Sequence, residues 1–274
     1  MNKKTVKKII NGLIACILAI IFLSPFYILV TNSFKTPKGI FKDIFGLPGK
    51  YFTLENYKNA FIELDFTKTF FNSLFITVVG TLLIITTSCM AAWVLARNNT
   101  KTSKRIYLLF AIYILVPFQC VMLPLVKFMG QLHMMNMWGL IIMYIGFGSS
   151  MAIMFFHGYI KSIPISLEES ALIDGCKPWR IFFKIIFPLC KPMTYTISIL
   201  DFMWLWNDFL LPSLVINTPK TLTIPLKMYY FFGKYTKKWE LATAALVITI
   251  IPVMVFFAFA QKRIIKGITS GAVK

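Results

Sequence analysis

Residues 69–96 read TFFNSLFITVVGTLLIITTSCMAAWVLA, without a single Lys, Arg, Asp or Glu. As a helix this run would exceed the roughly 30 Å hydrocarbon core of a bilayer. Four further charge-free windows flank it: Ile9–Phe34, Ile106–Val126, Phe128–Ile160 and Leu241–Ala260. One more apolar run, about 185–211, is interrupted by Lys191 and Asp201 and carries Asp208 near its end. Lipid offers the backbone no hydrogen-bond partners, so helices are the expected form. The alternating segments of a β-barrel are not seen. The windows predict an all-α polytopic membrane protein with six spans, roughly 9–31, 70–96, 106–127, 138–160, 187–210 and 240–261.

Composition agrees. Of 274 residues 58% are hydrophobic and only 14% charged, and mean hydropathy is +0.73. A soluble domain carries about 25% charged residues and cannot hide this apolar excess. The net charge of +19 lies mainly between the apolar runs, which points to a membrane rather than to nucleic acid. Lys3, Lys4, Lys7 and Lys8 precede the first run, as in a signal peptide. The run is too long for that role and lacks a small-x-small cleavage site, so it reads as a retained helix.

With both termini inside, the inner segments hold sixteen Lys/Arg against three acids, and the outer segments twelve against six. The inner segments are also shorter, so an N-in, C-in topology is expected. Cys16, Cys89, Cys120, Cys176 and Cys190 show neither C-x-x-C spacing nor a cluster with His133 or His157. They read as small packing residues, the histidines as structural, and neither zinc nor a disulfide framework is indicated. Gly80, Ala91, Gly146, Gly148 and their neighbours permit close helix approach.

Residues 164–192, PISLEESALIDGCKPWRIFFKIIFPLCKP, lie on the inner face in this topology. Ser166 three residues before Glu169 forms a capping-box pattern, and Glu168 and Glu169 suit a helix N-terminus. Leu167 and Ala171 are spaced to share a face. Gly175 suits a left-handed helix end, and Pro178 the first turn of a second helix. These residues alone leave two readings open: a well-capped connector, or a knob that docks in a cytoplasmic partner.

The string Glu169-Ser170-Ala171, three residues, Gly175, nine residues, Ile185-Ile186-Phe187-Pro188 resembles the EAA loop of ABC importer permeases, E-A-A-x3-G-x9-I-x-L-P. Ser170 and Phe187 depart from that pattern conservatively. Asn56-Tyr57-Lys58, Asn72-Ser73, Ala92–Arg97, Trp206-Asn207-Asp208-Phe209 and the tail Gln261–Lys274 are similar to the carbohydrate-importer subgroup. The closest likeness is to the smaller permease of a maltose-type pair, the MalG type, over nearly the whole chain. The resemblance implies a type I ABC importer permease fold. It implies an N-terminal helix and outer loop in 1–68, a permease core in 69–262 with its coupling loop at 161–184, and a cytoplasmic tail in 263–274. It implies that Leu167, Glu168, Glu169, Ala171, Asp174 and Gly175 form a helix coupled to a separate ATPase, and that Gly267 and Gly271 contact the same partner. A second permease, two ATP-binding subunits and an extracellular solute-binding protein are the implied partners.

The chain has no G-x4-G-K-[ST] phosphate cradle, so no cofactor is expected on it and ATP would be used by a partner subunit. No nucleophile–base pair, metal motif or paired carboxylates suggest an enzyme. Asp201, Trp204, Asn207 and Asp208 are candidates for a sugar path, since sugars take aromatic faces and polar neighbours. In the competing reading, Trp204 and Trp206 form an interfacial belt and Asp208 is solvated. The aromatic-rich outer segment 212–239 suits either a solute-binding protein or a re-entrant turn. Rival classes are an ion-gradient-driven transporter, which usually carries more intramembrane charges, and an ABC permease for another solute such as glycerol phosphate.

Overall fold

The structure is a computed structural model describing residues 3–234 and 238–272, with side chains described for 7–233 and 238–258. Helices α1 (Lys3–Ser33), α2 (Pro37–Lys42), α3 (Glu55–Glu63) and α4 (Phe66–Arg97) open the chain. Helices α5 (Lys101–Tyr113), α6 (Phe118–Gln131) and α7 (Met137–Lys161) follow. The 164–192 segment holds α8 (Ser166–Ile173), α9 (Pro178–Ile181), a π-helical turn Phe182–Ile186 and α10 (Phe187–Leu189). Then come α11 (Lys191–Asn207), α12 (Leu210–Val215), α13 (Ile224–Lys234) and α14 (Trp239–Ala272). Among the described residues the sole extended pairing is an isolated bridge between Lys35 and Phe52.

Four helices, α1, α4, α7 and the described part of α14, are long and apolar enough to cross a membrane. The expected span at 106–127 is broken. It consists of α5 and α6, bent by 105° at the turn before Phe118. Pro117 explains the break: it holds an extended N-cap conformation, with φ −61° and ψ 137°, and cannot continue α5. Counting that pair as one span gives five among the described residues. The expected span at 187–210 shortens to the 17 residues of α11. Its upstream part is irregular because the ring of Pro188 crowds the carbonyl four residues back, inside the π turn.

The chain forms two compact units. The first comprises Met1–Phe66 and Lys227–Phe256. In it the apolar window of α1 is wholly exposed on this chain. Its polar centre is a clasp around Lys35, which is 1% exposed. The ammonium donates to Asn32 Oδ1 at 3.1 Å and to the Asp43 carbonyl at 2.7 Å. Asn56 donates to the Ser33 and Lys35 carbonyls at 2.9 and 2.8 Å. Tyr57 OH lies 2.6 Å from Ser33 Oγ, and burial pushes this phenol's pKa up against the lowering effect of that bond.

The second unit comprises Thr67–Leu226 and Phe257–Lys274. Here α7 packs with α5, α11 and α12. Its apolar centre includes Ile84, Leu140, Tyr144, Ile153 and Phe156. A Cβ on Gly148 would meet Ile84 Cδ1 at 2.7 Å, so this glycine serves close packing inside the chain, whereas a Cβ on Gly146 would meet nothing within 4 Å. Asn72 donates to the Lys220 and Leu222 carbonyls, and Ser73 Oγ accepts from Ile224 N–H at 2.8 Å. These bonds pin the segment leading into α13 against α4. Cys89 and Cys190 are buried, as packing residues should be, whereas Cys16 and Cys120 are exposed. Cys16 stands on α1, whose apolar face this chain leaves uncovered.

Candidate functional site

The loop after α7 contains the best-defined local geometry. Gly175 has φ +74°, a conformation that L side chains resist. Gly175 N–H bonds to the Leu172 carbonyl at 3.0 Å and Cys176 N–H to Ala171 at 2.9 Å. Those two bonds form a Schellman cap and end α8 sharply. Lys177 is extended at the following N-cap, and Pro178 stands in the first turn of α9 as predicted.

The start of α8 differs from expectation. The N-cap is Ile165, already helical at φ −65° and ψ −27°, and no side chain caps it. Ser166 is therefore inside the helix, and the Ser166–Glu169 capping box does not form. Glu168 and Glu169 N–H groups instead both bond to the Ile165 carbonyl. The buried stripe is also different: Glu168 and Ala171 face inward at 7% and 6% exposure, while Leu167 is 44% exposed. Glu169, Asp174 and Gly175 are exposed. Leu172 and Ile173 project with them, so α8 presents an uncovered apolar tip rimmed by acids.

Glu168 is held by partners that pattern reading missed. Its Oε1 accepts from Arg97 Nε at 2.7 Å, and its Oε2 from Trp93 Nε1 at 2.8 Å. A further Arg97 nitrogen donates to the Ile163 carbonyl at 3.0 Å. Trp93 and Arg97 are four apart on α4 and share a face. That spacing, ending in an arginine in the last turn of a span, was the available signal.

At the far end of α11 the four path candidates separate. Trp204 and Asp208 line one cavity of about 220 Å³, together with Phe118, Gln119 and Phe147. Tyr144 OH donates to Asp208 Oδ2 at 2.8 Å, and the Tyr144 and Trp204 rings meet edge-on at 5.5 Å. Asp208 is thus bonded and partly buried rather than simply solvated. It is also the extended C-cap of α11, at φ −70° and ψ 127°, so its helical face with residues 201 and 204 is lost. Asn207 turns back to the Met203 carbonyl at 2.7 Å. Asp201 is buried at 7% exposure, and its Oδ2 has no hydrogen-bond partner. Trp206 is buried against Phe70 and Phe202, not in an interfacial belt. Gly267 and Gly271 fall on the helical backbone of α14, but contacts there lie outside the described side chains.

Residues 84–270 match the family described as binding-protein-dependent transport system inner membrane component. The chain belongs to that family. This permease is 46% identical, over 100% of both chains, to the probable starch degradation products transport system permease protein AmyC of Thermoanaerobacterium thermosulfurigenes. It is 38% identical, over 93% of each chain, to the multiple sugar-binding transport system permease protein MsmG of Streptococcus mutans. Its fold superposes on a chain of a bacterial ABC transporter involved in the import of the acidic polysaccharide alginate, with TM-score 0.80. That likeness has 22% identity and covers 96% of this chain and 98% of the other. The matched family segment includes Trp93, Arg97, α8 and the Trp204–Asp208 cavity of the permease.

Proposed function

We propose that this permease is one subunit of an ATP-driven importer for an oligosaccharide, with both termini on the inner side of the cell membrane. The observation that carries the cargo is full-length likeness to permeases whose names specify starch degradation products and multiple sugars. The cavity supports it: Trp204 offers an aromatic face and Asp208 and Gln119 offer polar atoms, the combination that sugars take. No Lys or Arg lines that cavity, which disfavours an anionic solute such as glycerol phosphate there.

Energy enters through α8. Its apolar tip Leu167, Leu172 and Ile173, with Glu169 and Asp174 beside it, docks in a cleft of a cytoplasmic ATP-binding subunit. Gly175 lets the next segment turn away closely behind the tip. Two such subunits, a second permease and an extracellular solute-binding protein complete the importer. Closure of the ATPase pair shifts the spans between inward- and outward-open states through differential affinity for the two. The tail at 263–274, including Gly267 and Gly271, touches the same subunits. No residue of this chain is assigned a catalytic role.

Uptake of radiolabelled maltodextrins in a deletion strain tests this reading. Uptake restored by the wild-type gene, and abolished when the partner ATPase is inactivated, is the expected result. Uptake that survives ATPase inactivation and follows an ion gradient would replace it with a secondary transporter.

A further inference from the structure

We propose that Arg97 and Trp93 are positioning residues for energy coupling: through Glu168 they lash α8 to the end of α4. A push on α8 is thereby delivered to a membrane span instead of being absorbed by the loop. The inference rests on the reading that α8 docks with an ATPase.

The need for a lash follows from the loop itself. Helix α8 has eight residues, fewer than an isolated helix needs for stability. It is bounded by Pro164 and by Gly175 in the left-handed region, both of which interrupt regular structure. It buries just two side chains, Glu168 and Ala171. Ala171 supplies little area, so the carboxylate is the main handle.

That handle is fully used. Each oxygen of Glu168 has its own donor, at 2.7 Å from Arg97 and 2.8 Å from Trp93. Such charge-assisted bonds are short and directional, and burial strengthens them. The lash also reaches either side of α8. Arg97 grips the Ile163 carbonyl just past α7, at 3.0 Å. The Trp93 ring lies 5.7 Å from that of Phe182, which is buried in the π turn after α9. The last turn of α4 therefore touches the chain before, within and after the docking helix. Neighbouring glutamates divide the work: Glu168 points inward and is saturated, while Glu169 is exposed and free for a partner.

The test uses the whole importer reconstituted in vesicles, with ATPase retention, ATP hydrolysis and sugar uptake measured separately. Arg97→Gln should retain the ATP-binding subunits and continue to hydrolyse ATP while uptake falls at least tenfold. Trp93→Phe, which keeps the ring and removes the donor, should give a smaller loss. In a background with the five native cysteines replaced, Arg97→Cys with Glu168→Cys should be uncoupled, and a short thiol-specific crosslinker should restore most uptake. Wild-type uptake by Arg97→Gln overturns the inference. So does loss of ATPase retention in the double-cysteine protein that crosslinking fails to reverse, because the contacts would then merely shape the docking helix. The underlying docking reading is tested apart: Glu169→Lys or Gly175→Trp that keeps both the ATPase and uptake sinks it, whatever Arg97→Gln does.

Discussion

Glu168 and Asp201 are equally buried, each 7% exposed, yet their surroundings are opposite. Helix α4 gives both oxygens of Glu168 a strong donor. Helix α11 leaves Asp201 Oδ2 with none. A buried charge that is paired and bonded is held in one geometry, whereas an unpaired one is a cost that a fold keeps for some other reason. The contrast separates a carboxylate fixed by its donors from one with an oxygen left unpartnered.

The largest effect should come from unpairing Glu168. Arg97→Ala leaves its carboxylate buried without its cation, which costs about 3–5 kcal/mol. The thermal unfolding midpoint of the detergent-purified chain should fall accordingly, and the α8 loop should become sensitive to protease. A smaller effect is expected at the cavity. Tyr144→Phe removes the donor to Asp208 Oδ2, at a cost of about 1–3 kcal/mol. Half-saturation for sugar uptake should rise with it, and an unchanged value would take Asp208 out of the path. Trp204→Ala gives up an aromatic face worth about 0.5–1.5 kcal/mol, which should raise half-saturation about two- to tenfold at unchanged ATPase retention. The smallest stability effect belongs to Asp201. Asp201→Asn replaces a buried carboxyl that has an unpartnered oxygen and should leave the unfolding midpoint unchanged or higher, while uptake falls if the residue serves the cargo. A drop in midpoint as large as that of Arg97→Ala would erase the contrast.

Much of the fold was legible because membrane helices are written in long charge-free runs. The predicted spans near α1, α4, α7 and α14 lie where those runs are. The third and fifth are not continuous helices over their predicted bounds, for a common reason. Counting charges ignores proline, and Pro117 and Pro188 redirect the backbone inside runs that remain apolar throughout. In the loop, Gly175 and Pro178 were readable since each acts through its own backbone. The inward turn of Glu168 was not, because two adjacent glutamates are indistinguishable until Arg97, seventy-odd residues away, is placed beside one of them. Three of the short motifs that carry the family resemblance are hydrogen-bond pins. Asn56 and Tyr57 close the Lys35 clasp, Asn72 and Ser73 hold the 220–224 segment, and Trp93 and Arg97 hold α8.

The Lys35 clasp has a practical consequence. An amine enclosed by carbonyl and amide oxygens offers no approach to an acylating reagent or to trypsin, although the same stretch carries accessible lysines at 38, 42 and 50. Mass-spectrometric footprinting of the detergent-purified protein should therefore show Lys35 unmodified beside heavily labelled neighbours. Its sudden appearance among the tagged peptides would report that this stretch has come apart.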